Sequence, residues 1–234
     1  MNKYLICTRA DNNIAEMCAI SHPLIRDYAT LCKADFMVLD KPWHDKASQV
    51  SNGRWHYAII YLSELLQHYE RILHLDSDII IKPRCPNIFD EVPYHSIGTV
   101  LEDKGSRQKD RWNRLQLIQR EFGSIGLFDK YVNSGVFLVS NIHAGIFQSI
   151  DGKYWSGLGY DDNHLSYQIH KLGFPIYELH WKWNFMSLFA EKEWGGIENL
   201  NEAYIFHAAG HGFTWLNKDK IEQLRIIRKK WYGY

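Results

Sequence analysis

The stretch that most constrains the fold is Tyr69–Lys82, YERILHLDSDIIIK. Ile72, Leu73 and Leu75 lead into Asp76-Ser77-Asp78, and Ile79, Ile80 and Ile81 follow at once. A run rich in Ile and Leu, with no Gly or Pro, reads as a buried strand. Two carboxylates inside such a run are costly unless something compensates them. In an extended chain, residues two apart point the same way, so Asp76 and Asp78 aim at one point and Ser77 points away. Two hard oxygen ligands at a strand end suit Mg²⁺ or Mn²⁺, ions that commonly share their shell with substrate phosphates.

With 234 residues, 46% hydrophobic and 15% aromatic, the chain can bury a full core as one large or two small domains. Lys+Arg and Asp+Glu are both 27, so the formal net charge is zero, which argues against bulk nucleic-acid binding. An anionic partner must then be neutralised locally, by a metal or a few cations. Cys7, Cys18, Cys32 and Cys85 show no C-x₂-C spacing and read as small buried hydrophobes in a reducing compartment. The start, MNKYLICTRADNN, turns polar too soon for a signal peptide, and no apolar run approaches the ~18 residues of a membrane span. The expectation is a cytoplasmic protein.

The rest of the chain reads as an α/β alternation. Lys3–Thr8 is a first strand, and the polar turn Arg9–Asn13 after it lies where open α/β sheets contact ligand. A helix is expected over Pro23–Cys32 and a second strand over Asp35–Leu39, a parallel crossover. Lys41–Gly53 is polar and irregular, whereas Arg54–Tyr69 carries Trp55, Ala58, Ile59, Leu62, Leu65 and Leu66 at helical spacing. Ser96–Leu101 is another strand. Glu102–Asp110 is a charged, Gly-broken stretch that reads either as an acceptor-side loop or as a plain solvated connection, before a helix over Arg111–Phe122. Tyr131–Ser140 is a strand whose Asn133-Ser134-Gly135 are poor strand formers, a pattern of a bulge or of close backbone approach to a ligand. Asp161-Asp162-Asn163-His164 opens a helix through Lys171, where acidic residues suit the first turn. His180–Ser187 is aromatic and is expected to pack under the site. Ala203–Gly212 reads as a last strand, with His207 at its end and Gly210 and Gly212 leaving room for a ligand. The tail Asn217–Tyr234 is basic and amphipathic, with Ile221, Leu224 and Ile227 in one stripe. Its Arg225, Arg228, Lys229 and Lys230 beside Trp231, Tyr232 and Tyr234 suit either peripheral contact with an anionic membrane or a terminal helix packed on the body with a solvated basic end. The division expected is a body over residues 1–216 and a tail over 217–234 that belongs to the same unit.

CTRADNN, HLDSD, YVNSGVFLV, DDNHLS, WNFM and FHAAG occur in this order over residues 5 to 212. With them the chain resembles the GT-A glycosyltransferases, most closely glycosyltransferase family 8, the relatives of glycogenin and of the lipopolysaccharide galactosyltransferases. The resemblance implies an α/β, Rossmann-like fold with a mixed, mostly parallel sheet flanked by helices. It implies Asp76, Asp78 and His207 as ligands of Mn²⁺ or Mg²⁺, with Asp76 also touching the ribose of the nucleotide. Thr8, Asp11 and Asn13 would line the nucleotide pocket, with Ser77 and Gly210 counted beside them. Asn133 and Ser134 would face the donor sugar. Asp161 and Asp162 match the family's D-Q-D segment near the reaction centre. Some positions depart from the pattern: Phe213 stands where the family carries a diphosphate-binding Lys, Ile59 where it carries an Arg, and Asp162 where it carries Gln.

The implied reaction moves a hexose from a nucleoside diphosphate sugar, a UDP-sugar, to a hydroxyl of a glycan or glycolipid, with retention at C1. Arg9 or Arg54 would replace the missing Lys, since a guanidinium grips phosphate bidentately. Asp161 or Asp162 would stabilise the oxocarbenium-like sugar or orient the acceptor. Two other readings remain open on the residues: a non-catalytic nucleotide-sugar or glycan-binding module, and a phosphohydrolase of the haloacid dehalogenase type.

Overall fold

A mixed sheet whose inner strands are buried on both faces forms the centre of the protein, seen in a computed structural model that describes residues 2–40, 55–186, 194–210 and 219–234. The large sheet contains β1 (Asn2–Arg9), β2 (Asp35–Leu39), β3 (Tyr69–Leu75), β5 (Ile97–Leu101), β6 (Val132–Ser140) and β7 (Ile176–Glu178), in the order β2-β1-β3-β6-β5-β7. The pairs β1–β2, β1–β3 and β5–β7 are parallel, and β6 runs antiparallel to both its neighbours. The strands alternate between two cores: Ile6, Leu73, Leu75, Val136 and Leu138 face one, and Leu5, Cys7, Ile72, Phe137 and Val139 face the other. The chain departs from β1 to β2 on one side and to β3 on the other. That reversal is where open α/β sheets form a ligand crevice.

The D-x-D stretch is not one continuous strand, as its composition suggests. β3 ends at Leu75, the chain bends through Asp76-Ser77-Asp78, and β4 (Ile79–Ile81) enters a second sheet with β8 (Phe185–Met186) and β9 (Ile205–His207), in the order β4-β9-β8. All three Ile of β4 are buried, so the apolar run reflects two sheets in succession.

The helix expected from Pro23 starts earlier: α1 spans Ala15–Leu31. Burial of Ile20, Leu24, Ile25 and Tyr28 keeps one face continuous through Pro23, which forfeits one backbone bond. The stripe from Ala58 to Leu66 is core, as expected, but its backbone is a 3-10 segment, Trp55–Tyr61, followed by one turn, α2 (Leu62–Leu65). After the short α3 (Ile88–Glu91), α4 (Gln108–Phe122) and α5 (Tyr160–Lys171) lie close to the expected boundaries.

The tail forms α6 (Lys220–Tyr232). Leu224 and Ile227 are fully buried against Ile20 and Leu24 of α1 and Phe206 of β9; such burial is worth about 1.5–3 kcal/mol per side chain. Asp219 caps the helix by accepting from the Glu222 amide at 2.8 Å, and Tyr232 donates to the Ile81 carbonyl at 2.6 Å. Arg225, Lys229 and Lys230 stay exposed. No described helix is long and apolar enough to cross a membrane.

Candidate active site

The carboxyl ends of β1 and β3 and the amino end of β6 meet at one rim of the large sheet. Register holds them there: β1 and β3 pair to Thr8–Leu75, and the Asp76 amide donates to the Gly135 carbonyl at 2.9 Å. The small sheet joins this rim where the Ala208 amide donates to the Asp78 carbonyl at 2.9 Å, placing the end of β9 beside the D-x-D bend.

Asp76, Asp78 and His207 thus converge, each offering one donor atom within 4.8 Å of the others. His207 Nε2 lies 3.1 Å from Asp78 Oδ1 and 3.5 Å from Asp76 Oδ2. Each donor is held from behind by a different partner. Asp76 Oδ1 accepts from Arg9 Nη2 at 2.6 Å, and Asp78 Oδ2 is paired with Lys220 of α6. His207 Nδ1–H donates to Asn184 Oδ1 at 2.8 Å, which leaves Nε2 facing the carboxylates, free to hold a proton or a metal ion there. Two hard oxygens and one imidazole nitrogen, with their outer atoms occupied, make a candidate site for a divalent cation.

The electrostatics agree. Burial opposes ionisation of Asp78, but His207 and Lys220 beside it hold its carboxyl well below the usual range. Burial works likewise against Asp76, and the Arg9 guanidinium outweighs it. Burial disfavours a charged His207, yet Asp78 and Asp76 pull its pKa above the ordinary value. The three groups are mutually stabilised, and a cation can take the place of the proton.

A buried polar chain runs outward from His207. Asn184 Nδ2 donates to Asn133 Oδ1 at 2.8 Å, and Asn133 Nδ2 donates to Glu102 Oε1 at 2.6 Å. Glu102 Oε2 accepts from Arg111 Nε at 2.7 Å and pairs with Nη2 of the same guanidinium. Glu102, expected in an acceptor-side loop or a plain solvated connection, is therefore interior, 3% exposed; its charge is neutralised by α4. Gly135 is required where it stands. A Cβ there would lie 2.4 Å from His207 Cε1 and 3.0 Å from Asp76 Oδ2.

Beside this group lies the acidic pair at the start of α5. Ser134 donates its hydroxyl to Asp161 Oδ2 at 3.0 Å and its amide to Asp162 Oδ1 at 2.8 Å. Arg9 Nη1 is 3.6 Å from Asp161 Oδ2 and donates to the His56 carbonyl at 2.9 Å. Burial, then Asp161 and Glu102, raise the Asp162 carboxyl well above its ordinary pKa.

The rim thus gathers Arg9, Asp76, Asp78, Asn133, Ser134, Asp161, Asp162 and His207. Asn133 reaches the cluster through Asn184 and Gly135 rather than by an outward-facing side chain. Thr8 is fully buried, and Ser77 is turned inward: Ser77 donates to the Arg9 carbonyl and accepts from Thr8 at 3.1 Å, with His22 Nε2 at 3.3 Å. Asp11 accepts from the Asn13 amide at 2.7 Å, shaping the turn after β1. Gly210, exposed and with φ 78°, closes the stretch after β9. Arg54 and Phe213 lie outside the described residues. Sequence reasoning missed Asn184, Glu102, Arg111 and Lys220; WNFM flagged the neighbourhood of Asn184, but not its role.

No family model matches the chain. Curated protein sequences give no significant match either. Solved structures do match. The galactosyltransferase LgtC, solved with donor and acceptor sugar analogs, superposes with a TM-score of 0.62 at 15% identity, over 97% of this chain and 96% of that one. A glycosyltransferase involved in glycosylation of the major capsid of PBCV-1 gives 0.58 at 15% identity, over 95% and 98%. The bifunctional glycosyltransferase WbbM gives 0.63 at 12% identity; the match covers 95% of this chain and 49% of that one, about half its length. At these identities the likeness is one of architecture: the mixed, mostly parallel sheet flanked by helices is that of the GT-A glycosyltransferase fold.

Proposed function

We propose that this chain is a metal-dependent glycosyltransferase related to family 8. It moves a hexose from a nucleoside diphosphate sugar, a UDP-sugar, to a hydroxyl of a glycan or glycolipid, with retention. The observation that carries this reading is the convergence of Asp76, Asp78 and His207, each braced from behind, beside Asp161 and Asp162 on a GT-A fold. Mn²⁺ or Mg²⁺ at that triad would supply Lewis-acid stabilisation of the leaving diphosphate.

The chain's own residues do the rest. Arg9 fixes Asp76 and lies against Asp161, so the ligand carboxylate and the acidic pair share one guanidinium. Asp162, anchored on the Ser134 amide and with its carboxyl pKa raised by burial and by Asp161, is biased toward the protonated form that donates a hydrogen bond to a sugar or acceptor oxygen. Asp161 remains within reach to balance positive charge on the sugar ring. Thr8, Asp11, Asn13, Ser77 and Gly210 belong to the nucleotide side in this reading. The exposed Arg225, Lys229 and Lys230 of α6 are the side chains a peripheral membrane contact would use.

Thermal stabilisation by a panel of nucleotides and nucleotide sugars, with Mn²⁺ and with chelator, tests the assignment. Metal-dependent stabilisation by UDP and one UDP-sugar is expected, and Asp78→Ala abolishes it together with turnover. Tight donor binding without transfer to any acceptor points to a binding module. Full activity of Asp78→Ala sinks the metal assignment, and release of phosphate from a generic phosphomonoester points to the hydrolase.

A further inference from the structure

At the rim, β6 does not complete a regular ladder with β5. Thr99 pairs with Phe137 and Leu101 with Val132, so Asn133–Val136 lie opposite Val100 alone. Side chains hold the backbone of this bulge instead. Thr99 donates its hydroxyl to the Asn133 carbonyl at 2.7 Å, and Asp162 accepts from the Ser134 amide at 2.8 Å. The Ser134 carbonyl lies 2.8 Å from Nδ1 of His74 on β3. A carbonyl only accepts, so Nδ1 carries the proton and donates. His74 is fully buried, and its Nε2 has no hydrogen-bond partner among the described residues. A buried ring nitrogen left unpaired costs free energy, which an apolar side chain at this place in β3 would avoid. The polar contact that accounts for a histidine here is the one to Ser134.

We propose that His74 is a positioning residue for the transfer reaction: its imidazole fixes Ser134, and Ser134 fixes Asp161 and Asp162. The inference rests on the glycosyltransferase reading above. Ser134 ties both carboxylates, Asp161 through its hydroxyl at 3.0 Å and Asp162 through its amide. The metal triad is braced independently, by Arg9 on Asp76, Lys220 on Asp78 and Asn184 on His207. His74 therefore acts on the acidic pair and not on ion binding. The end of β3 serves both halves of the site: Asp76 on the ion, and His74, through Ser134, on the carboxylates beside it. Without the imidazole, the bulge loses its tie to β3 at Ser134, and both carboxylates shift with it.

The test uses the full chain, wild type against His74→Phe and His74→Asn. The Asn amide nitrogen stands as many bonds from Cα as Nδ1 and can donate to Ser134, whereas Phe cannot. Turnover is read as release of nucleoside diphosphate, with Mn²⁺ and with water or a panel of free sugars as acceptor. The donor is whichever UDP-, GDP- or ADP-hexose stabilises wild type most. Mn²⁺ binding is read by electron paramagnetic resonance, and hydrogen exchange of the Ser134 amide reports its bond to Asp162. In His74→Phe, kcat is expected to fall roughly tenfold to a hundredfold, with KM and Mn²⁺ affinity within about twofold of wild type. The Ser134 amide of that variant exchanges faster than in wild type. His74→Asn is expected to recover most of kcat and of the amide protection, although it leaves more empty volume in the core. Wild-type kcat and Ser134 protection in His74→Phe overturn the proposal while the glycosyltransferase reading stands. So does an equal loss of kcat, Mn²⁺ affinity and global stability in both variants, which marks His74 as a packing residue. If His74→Phe does not fold, His74→Gln, whose amide matches the reach of Nε2 instead, takes its place with the same expectations. If wild type with Mn²⁺ turns over none of the donors, the reading beneath falls and the proposal with it.

Discussion

Truncating Asn184 to Ala removes the side chain that joins His207 to the buried polar chain. Its Oδ1 accepts from His207 and its Nδ2 donates to Asn133, both at 2.8 Å. Asn133 Oδ1 keeps the Gly135 amide at 3.0 Å, so the truncation orphans one buried group, the His207 Nδ1–H. Leaving a buried donor unpaired costs roughly 1–3 kcal/mol. At about 2–4 °C per kcal/mol for a chain of this size, the midpoint of unfolding falls by about 2–12 °C. The effect on the ion is larger in consequence. Without Asn184 the imidazole proton is free to move to Nε2, the atom that faces Asp76 and Asp78. Loss of such an outer partner typically weakens metal binding about 10–100-fold, or roughly 1.4–2.7 kcal/mol. Mn²⁺ titration followed by electron paramagnetic resonance reads the second effect, and calorimetric unfolding in chelator reads the first. Asn184→Asp is the discriminating companion. It keeps an acceptor for His207 but sets a carboxylate oxygen against Asn133 Oδ1, so stability falls while Mn²⁺ affinity stays nearer wild type. A folded Asn184→Ala that binds Mn²⁺ within about twofold of wild type would refute the argument that Asn184 sets the tautomer.

Gly135→Ala introduces a methyl 2.4 Å from His207 Cε1 and 2.9 Å from Asn133 Oδ1; overpacking of this kind costs about 1–3 kcal/mol, and loss of measurable Mn²⁺ binding is expected from titration of the folded variant. Normal binding would mean that β6 does not approach His207 this closely. Asp162→Asn tests the neutral acid. Because the folded-state pKa of Asp162 lies above its unfolded value, its contribution to stability is fully present below the unfolded pKa and is lost as pH rises from there through the folded pKa. The variant, which keeps an acceptor for the Ser134 amide, should therefore unfold at a higher temperature than wild type at high pH, and the gap should close toward about pH 4. Midpoints measured across that range check this, and a gap that does not vary with pH counts against it.

The rim was readable in the sequence wherever chemistry follows from local pattern. Acidic residues inside an apolar run, small polar residues opening a strand and an acidic pair opening a helix each break their own periodicity. Asp76, Asp78, Asn133, Ser134, Asp161 and Asp162 therefore stood out, and the structure gathers them. The partners behind them did not stand out, because each conforms to its surroundings. Asn184 hides in an aromatic stretch, Glu102 and Arg111 in a charged connection, and Lys220 in a basic amphipathic tail. Their roles arise only from contacts between distant segments. The same limit explains the D-x-D bend: three buried Ile continuing a sheet and three buried Ile starting another have the same composition. It also explains α1, where tertiary burial of Ile20 and Leu24 overrides the local signal of Pro23.

The bend at Asp76–Asp78 has a thermodynamic corollary. Asp76 leaves the large sheet, whereas Asp78 and His207 border the small one. An ion held by all three is a reversible rivet between the two sheets, and its grip scales with the logarithm of its free concentration, about 2.7 kcal/mol at a hundredfold excess over Kd. Sub-global opening of β4 and β9 then becomes a function of the ionic milieu. Native-state hydrogen exchange would read this as slowing of the Ile80 and Phe206 amides with added Mn²⁺, against unchanged exchange in β2; equal slowing throughout would speak against a local rivet. The chemistry of the site and the cohesion of the fold would draw on one and the same bond.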